Sequence, residues 1–285
     1  MVIFKEIEPL TAYLRDKRVQ DISIGLVPTM GALHQGHLEI VKASKKSNAL
    51  TVCSIFVNPA QFNNPSDLEK YPRTEEQDIA NLKSVGCDVL FYPESEVMYQ
   101  KPSTLKFDFG KLDKIFEGEF RPGHFSGVAL VVSKLFNIVN PTRAYFGQKD
   151  FQQFKIISRL VEELNFNIDL ICFPTLREPD GLAMSSRNLR LANDERKSAL
   201  VFYHALTLAK AELRKGTDLK FIEGRVREMC LTENQVRLEY FALAGTENLN
   251  LLDNVKQETQ AILLIAGFVG EIRLIDNMFV DEYEN

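Results

Sequence analysis

Along the first two thirds of the chain, apolar runs of strand length alternate with stretches of helical period. Ile22 to Val27 predicts a strand, and residues 37–46 a helix with Leu38 and Val41 on one stripe. Leu50 to Val57 is mostly apolar, as suits a parallel strand buried on both faces. A loop at 58–65 follows, then a helix over 75–85 that stops at Gly86 and a buried strand over 88–92. A strongly apolar helix over 127–139 is stopped by Asn140-Pro141. Residues 143–146, 151–164 and 168–173 then read as strand, helix and strand. This β-α-β rhythm predicts an α/β fold built on a Rossmann-like, doubly wound parallel sheet.

The pattern changes after Arg177. Residues 193–214 predict one long helix, with Leu200, His204, Leu208 and Ala211 at helical spacing, and His204 is read as a structural residue on that apolar stripe. A helix over 219–230 and extended runs over 236–243, 261–266 and 270–275 follow, with Gly267 and Gly270 bracketing a turn. Helices followed by strands without alternation predict a smaller C-terminal α+β domain. The expected division is a Rossmann-like domain over 1–176 and a smaller α+β domain over 177–285.

Composition narrows the class. A net charge of −5 with no Lys/Arg block gives no sign of a nucleic-acid surface. The four cysteines form no Cys-x-x-Cys pair, and with only four histidines no zinc site is expected. Cys53 and Cys172 fall in buried strands, which suits packing in a reducing compartment. No basic-then-apolar leader opens the chain and no apolar run is long enough to span a bilayer, so a cytoplasmic protein with no membrane partner is expected.

The chemistry concentrates where strands end, the edge at which open parallel sheets bind ligands. Pro28-Thr29-Met30-Gly31-Ala32-Leu33-His34-Gln35-Gly36-His37 follows the first strand and enters a helix. Its two histidines share a face at a helix N-terminus, where unpaired N–H groups and partial positive charge attract phosphate. Imidazoles there can stabilise charge as a phosphate bond breaks, and Gly36 leaves room for a nucleotide against the backbone. Gly147-Gln148-Lys149-Asp150 ends a later strand: Lys149 is a point cation for a triphosphate, while Asp150 suits either ribose hydroxyls or magnesium. Gln61 and Gln153 carry amides suited to a small hydroxy acid. Leu176-Arg177 lies just past the strand ending at Phe173. In Asp180 to Asn188, Ser185 and Ser186 offer hydroxyls and Arg187 a planar fork for phosphate on a loop that can close over ATP. Gly118 to Gly127 reads equally as a cavity wall or a helix cap. No protein nucleophile motif appears.

These segments, together with Phe56-Val57-Asn58-Pro59-x-Gln61-Phe62, Arg121-Pro122-Gly123-His124-Phe125 and Arg273-Leu274-Ile275-Asp276-Asn277, resemble the pantothenate synthetase family of HxGH nucleotidyltransferase-like enzymes. The likeness keeps the family's order and spacing from about residue 20 to 280. It implies condensation of pantoate with β-alanine at the expense of ATP, through a pantoyl adenylate, with release of AMP and pyrophosphate. It also implies that Met30, Gly31, Ala32, Leu33, His34, Gln35, Gly36 and His37 line the ATP site, with His37 donating to phosphate. Gly147, Gln148, Lys149 and Asp150 would cover ribose and phosphates, and Leu176 would meet adenine by its backbone. Met184, Ser185, Ser186 and Arg187 would close over the phosphates, and Gln61 and Gln153 would hold pantoate. Magnesium and a homodimer carry over too. Gln77 stands where the family has an acid near the metal, which leaves the metal ligands open. A nucleotidylyltransferase, which keeps the nucleotidyl group in its product, shares single motifs and is the alternative.

Overall fold

The computed structural model describes residues 1–101, 103–257 and 260–281. The chain forms two compact units, Met1–Gly147 with Gln152–Phe173, and Gln148–Phe151 with Pro174–Asn285. The fold is the α/β architecture with a smaller α+β part that the sequence predicts. Residues 148–151, which the sequence assigns to the first domain, group by contact with the second unit.

The first unit is built on strands β1 (Val2–Phe4), β2 (Ile24–Thr29), β3 (Leu50–Ile55), β4 (Val89–Phe91), β5 (Arg143–Gly147) and β6 (Asp169–Phe173). They pair in the order β1-β4-β3-β2-β5-β6, every pair parallel. Helices Gln35–Ser47, Glu75–Ser84, His124–Val139 and Phe151–Glu163 connect them. Val27, Val41, Cys53, Leu82 and Leu90 share one core cluster, each side chain contributing about 1.5–3 kcal/mol by leaving water. Helix His124–Val139 is buried on nearly all sides, which explains its continuous apolar composition. The sequence reading missed β1 and the helix Ile7–Val19. Val2 and Ile3 are half-exposed and only Leu10 and Leu14 of the helix are buried, so neither segment shows a clear period.

The second unit packs helices on an antiparallel sheet of β7 (Val236–Gly245), β8 (Ala261–Val269) and β9 (Ile272–Phe279). Phe202, Leu206, Ile222 and Val226 meet Leu243, Leu263 and Ile265 in its core. Three expectations need correction. The predicted helix over 193–214 breaks at Ala199 into Asn193–Ser198 and Leu200–Arg214. His204 is exposed: the buried stripe runs through Val201, Phe202, Ala205, Leu206, Ala209 and Leu213, so the sequence reading chose the wrong face. Gly267 lies inside β8, opposite Leu238 and Leu274, and the turn falls at Gly270-Glu271.

All four cysteines are buried, and burial pushes the thiols up, to about 11 at Cys87 and Cys230 and about 12 at Cys172. They are packing residues.

Candidate active site

From β2 the chain moves outward to β3 and β4 on one side, while β5 and β6 lie on the other. The strand order therefore switches between β2 and β5, where the loops leaving two carboxyl ends diverge and open a crevice. The loop after β2 holds Ala32 at φ +48°, a left-handed conformation that costs a non-glycine residue about 1–3 kcal/mol. A buried carboxylate offsets that strain. Asp78, 1% exposed, accepts from Ala32 N at 2.9 Å through Oδ2 and from Leu33 N at 2.7 Å through Oδ1. Asn81, one turn further along the same helix, donates to the Leu33 carbonyl at 3.4 Å.

This clamp delivers His34 as the N-cap of helix Gln35–Ser47, two residues earlier than the pattern predicts. His34 Nδ1 accepts from Gly36 N at 3.1 Å, and His37 Nδ1 accepts from His34 N at 3.4 Å. The ring centroids are 4.0 Å apart. A neutral imidazole that accepts at Nδ1 carries its proton on Nε2, so the caps set both rings as Nε2–H donors.

Gln61 ends the short turn Pro59–Gln61 after β3 and is buried. Its Nε2 donates to Met30 Sδ at 3.0 Å and its Oε1 accepts from Asn58 Nδ2 at 3.1 Å. Asn58 is held in turn by Tyr99, whose hydroxyl donates to Oδ1 at 2.8 Å. Burial pushes the Tyr99 phenol up to about 12, which keeps that donor protonated. From behind, His124 Nδ1 donates to the Gln61 carbonyl at 2.8 Å. Helix His124–Val139 comes so close at Gly127 that a Cβ there would sit 2.1 Å from the Ala60 carbonyl oxygen. The Gly118–Gly127 stretch thus caps this helix and also braces Gln61. Gly127→Ala must move backbone, so a loss of about 1–3 kcal/mol in stability is expected. Urea unfolding checks this, and an unchanged midpoint would contradict the close approach.

In the second unit, Lys149 lines a small cavity with Ser185, Asn188, Tyr203 and Asp276. Its segment is gripped by Asn277, whose Nδ2 donates to the carbonyls of Gln148 at 2.9 Å and Lys149 at 2.8 Å. Gln148 Nε2 returns a bond to Asn277 Oδ1 at 3.0 Å. Next to it, buried Asp276 takes a bidentate grip from Arg177, at 2.6 and 3.0 Å. Burial pushes the Asp276 carboxyl up, and Arg177 opposes the shift. Arg177 also donates to the Gly181 carbonyl at 3.0 Å and lies 4.9 Å over the Tyr203 ring. Gly181 has φ +98°, and a Cβ there would strike Tyr203, so this turn needs glycine. The turn folds back on itself: Met184 N donates to the Leu176 carbonyl at 3.0 Å. Ser185 Oγ then caps the turn Ser186–Arg190 by accepting from Arg187 N at 3.3 Å.

Within the first unit, the structure brings together Met30 with Gln61 and His34 with His37. Gln153 is half-buried on helix Phe151–Glu163, and its neighbour Gln152 staples the carbonyls of Leu112 and Ile115 instead. Gln77 is exposed and bonds Asn81 at 3.0 Å. Sequence reasoning gave no role to Asp78, and it quoted the segments holding His124, Arg177, Asp276 and Asn277 without assigning those side chains any contact. Asp78 had a signal: an acid four residues before Leu82 on the buried face of its helix has to be satisfied from outside that helix.

Comparison with known proteins is consistent along the whole chain. The sequence model of the family described as Pantoate-beta-alanine ligase matches residues 2–279. A pantothenate synthetase of Caldicellulosiruptor bescii is 44% identical over 282 residues, 99% of each chain. One of Aquifex aeolicus is 44% identical over 277 residues, 97% of this chain and 98% of the other. Among solved structures, pantothenate synthetase from Thermus thermophilus superposes with a TM-score of 0.93 at 39% identity, covering 99% of this chain and 100% of that one. A pantoate–β-alanine ligase from Francisella tularensis, complexed with Beta-gamma ATP and β-alanine, superposes with a TM-score of 0.83 at 34% identity and 99% coverage of both.

Proposed function

The chain belongs to the pantoate–β-alanine ligase family, and on that premise we propose how its residues divide the work. It is a ligase that condenses pantoate with β-alanine using ATP. The reading of its site rests above all on the paired imidazoles at the N-terminus of helix Gln35–Ser47, set as Nε2–H donors by their own caps.

In the first step a pantoate carboxylate oxygen attacks the α-phosphorus of ATP and the bond to pyrophosphate breaks. Charge builds on the leaving phosphates, and His34 and His37 donate to it as preorganised donors. Met30 to Leu33 line the nucleotide, and Gln35 and Gly36 complete the helix start beneath it. Gln61 and Gln153 hold pantoate through its hydroxyls and carboxylate. Lys149 and Arg187 neutralise the triphosphate, assisted by Ser185 and Ser186. Gly147, Gln148 and Asp150 meet the ribose and phosphates, and Leu176 and Met184 the adenine end. In the second step the β-alanine amine attacks the acyl carbonyl, loses a proton, and AMP leaves.

Magnesium fits this donor set as an ion carried on the ATP phosphates, which takes only one or two protein carboxylates. Asp150 is exposed and offers such a carboxylate, whereas both oxygens of Asp78 are committed to backbone amides. The bound ion would neutralise phosphate charge. The active species is a homodimer in this reading. Among the described residues no helix is long and apolar enough to cross a membrane.

Because the adenylate forms before the amine acts, pantoate alone is expected to support exchange of labelled pyrophosphate into ATP. Exchange that required β-alanine would overturn the stepwise route.

A further inference from the structure

Lys149 and the 178–187 turn are far apart in sequence, yet one short stretch of β9 holds both. Asn277 Nδ2 takes the carbonyls of Gln148 and Lys149, and its Oδ1 takes the Gln148 side chain. Asp276, the preceding residue, is gripped through both oxygens by Arg177. Arg177 also donates to the Asn277 carbonyl at 3.1 Å and to the Gly181 carbonyl. The carbonyls of 148 and 149 belong to a short 3₁₀ turn that has little support of its own. Asn277 is 2% exposed and Asp276 6%, so neither bond set exchanges freely with water. Residues 148–151 are also the piece of chain that leaves the first unit and groups with the second.

We infer that Asn277 is a positioning residue for adenylate formation. By clamping the 148–149 carbonyls to the strand that also anchors Arg177, it makes Lys149 and the turn bearing Arg187 a single rigid phosphate grip. This rests on the phosphate role given to Lys149 and Arg187 above. Neither Asn277 nor Arg177 contacts substrate in this scheme. Both act through the groups they hold, as supporting residues do in a preorganised site.

The test is a double-mutant cycle read on the two half-reactions. Asn277→Ala is expected to slow pantoate-dependent pyrophosphate exchange about tenfold to a hundredfold, the size of a misplaced catalytic group. Hydrolysis or aminolysis of supplied synthetic pantoyl adenylate is expected to stay within about twofold of the parent, because no pyrophosphate leaves there. Asn277→Ala added to Lys149→Ala is expected to slow exchange little beyond Lys149→Ala alone, since the clamp acts through that lysine. Amide hydrogen exchange of residues 148–151 is expected to quicken in Asn277→Ala. Losses that multiply in the double variant, equal damage to both half-reactions, or unchanged amide exchange at 148–151 would each overturn the inference. Full exchange activity in Lys149→Ala alone faults the phosphate assignment itself, and the positioning role falls with it. Asn277→Leu, which fills the same buried volume and removes the amide that holds the 148 and 149 carbonyls, serves the same cycle if Asn277→Ala folds poorly.

Discussion

Replacing His37 with alanine is expected to slow adenylate formation about a hundredfold or more, the effect of losing one preorganised donor, roughly 3 kcal/mol. The structure sharpens this expectation by separating the two histidines. His34 is the N-cap of its helix, so His34→Ala also removes a cap worth about 1 kcal/mol and mixes stability with catalysis. The bond that His37 accepts from His34 N is long, at 3.4 Å, so its loss should leave the fold intact. Single-turnover pyrophosphate release, compared with thermal unfolding of the same variant, separates the two effects. Near-normal release from His37→Ala would remove this residue from the mechanism.

The second large effect is at Lys149. Lys149→Ala is expected to impair adenylate formation by about 3 kcal/mol and to spare the amine step when synthetic pantoyl adenylate is supplied. Its side chain is mostly buried, with Asp150 4.0 Å away, so the charge is partly desolvated and acts strongly on a nearby phosphate. Arg187 belongs to a turn whose shape depends on Gly181 and Ser185. Arg187→Lys keeps the charge and loses the planar fork, so its defect is expected to be smaller than that of Arg187→Ala. Half-reaction assays on the three variants decide the matter. A Lys149→Ala enzyme slowed only in the amine step would refute the assignment.

The alternation of strands and helices between residues 22 and 173 was legible because buried parallel strands are continuous apolar runs. The motif-bearing loops were legible because polar residues cluster there without any packing reason. What stayed hidden at the site has one cause: the contact that matters joins residues remote in sequence. Asp78 satisfies amides at 32 and 33, and Asn277 satisfies carbonyls at 148 and 149, and neither residue's own segment shows what its side chain holds. His204 went wrong differently. On a helix with many apolar residues two stripes compete, and only packing against β8 and β9 chooses between them. The N-terminal strand and helix bury too few side chains to produce a period.

Gly127 carries a consequence for how such a sequence can drift. Most buried positions tolerate exchange among aliphatic residues, because neighbours can redistribute volume. At the crossing of helix His124–Val139 with the Pro59–Gln61 turn the two main chains meet directly, and there is no side-chain volume to redistribute. No compensating substitution nearby can open the gap, since the obstacle is the peptide group of residue 60 itself. A lineage can therefore rewrite the surrounding core piece by piece while residue 127 stays glycine. The alternative is to remodel the whole turn that presents Gln61, and with it the hold on pantoate proposed for that residue.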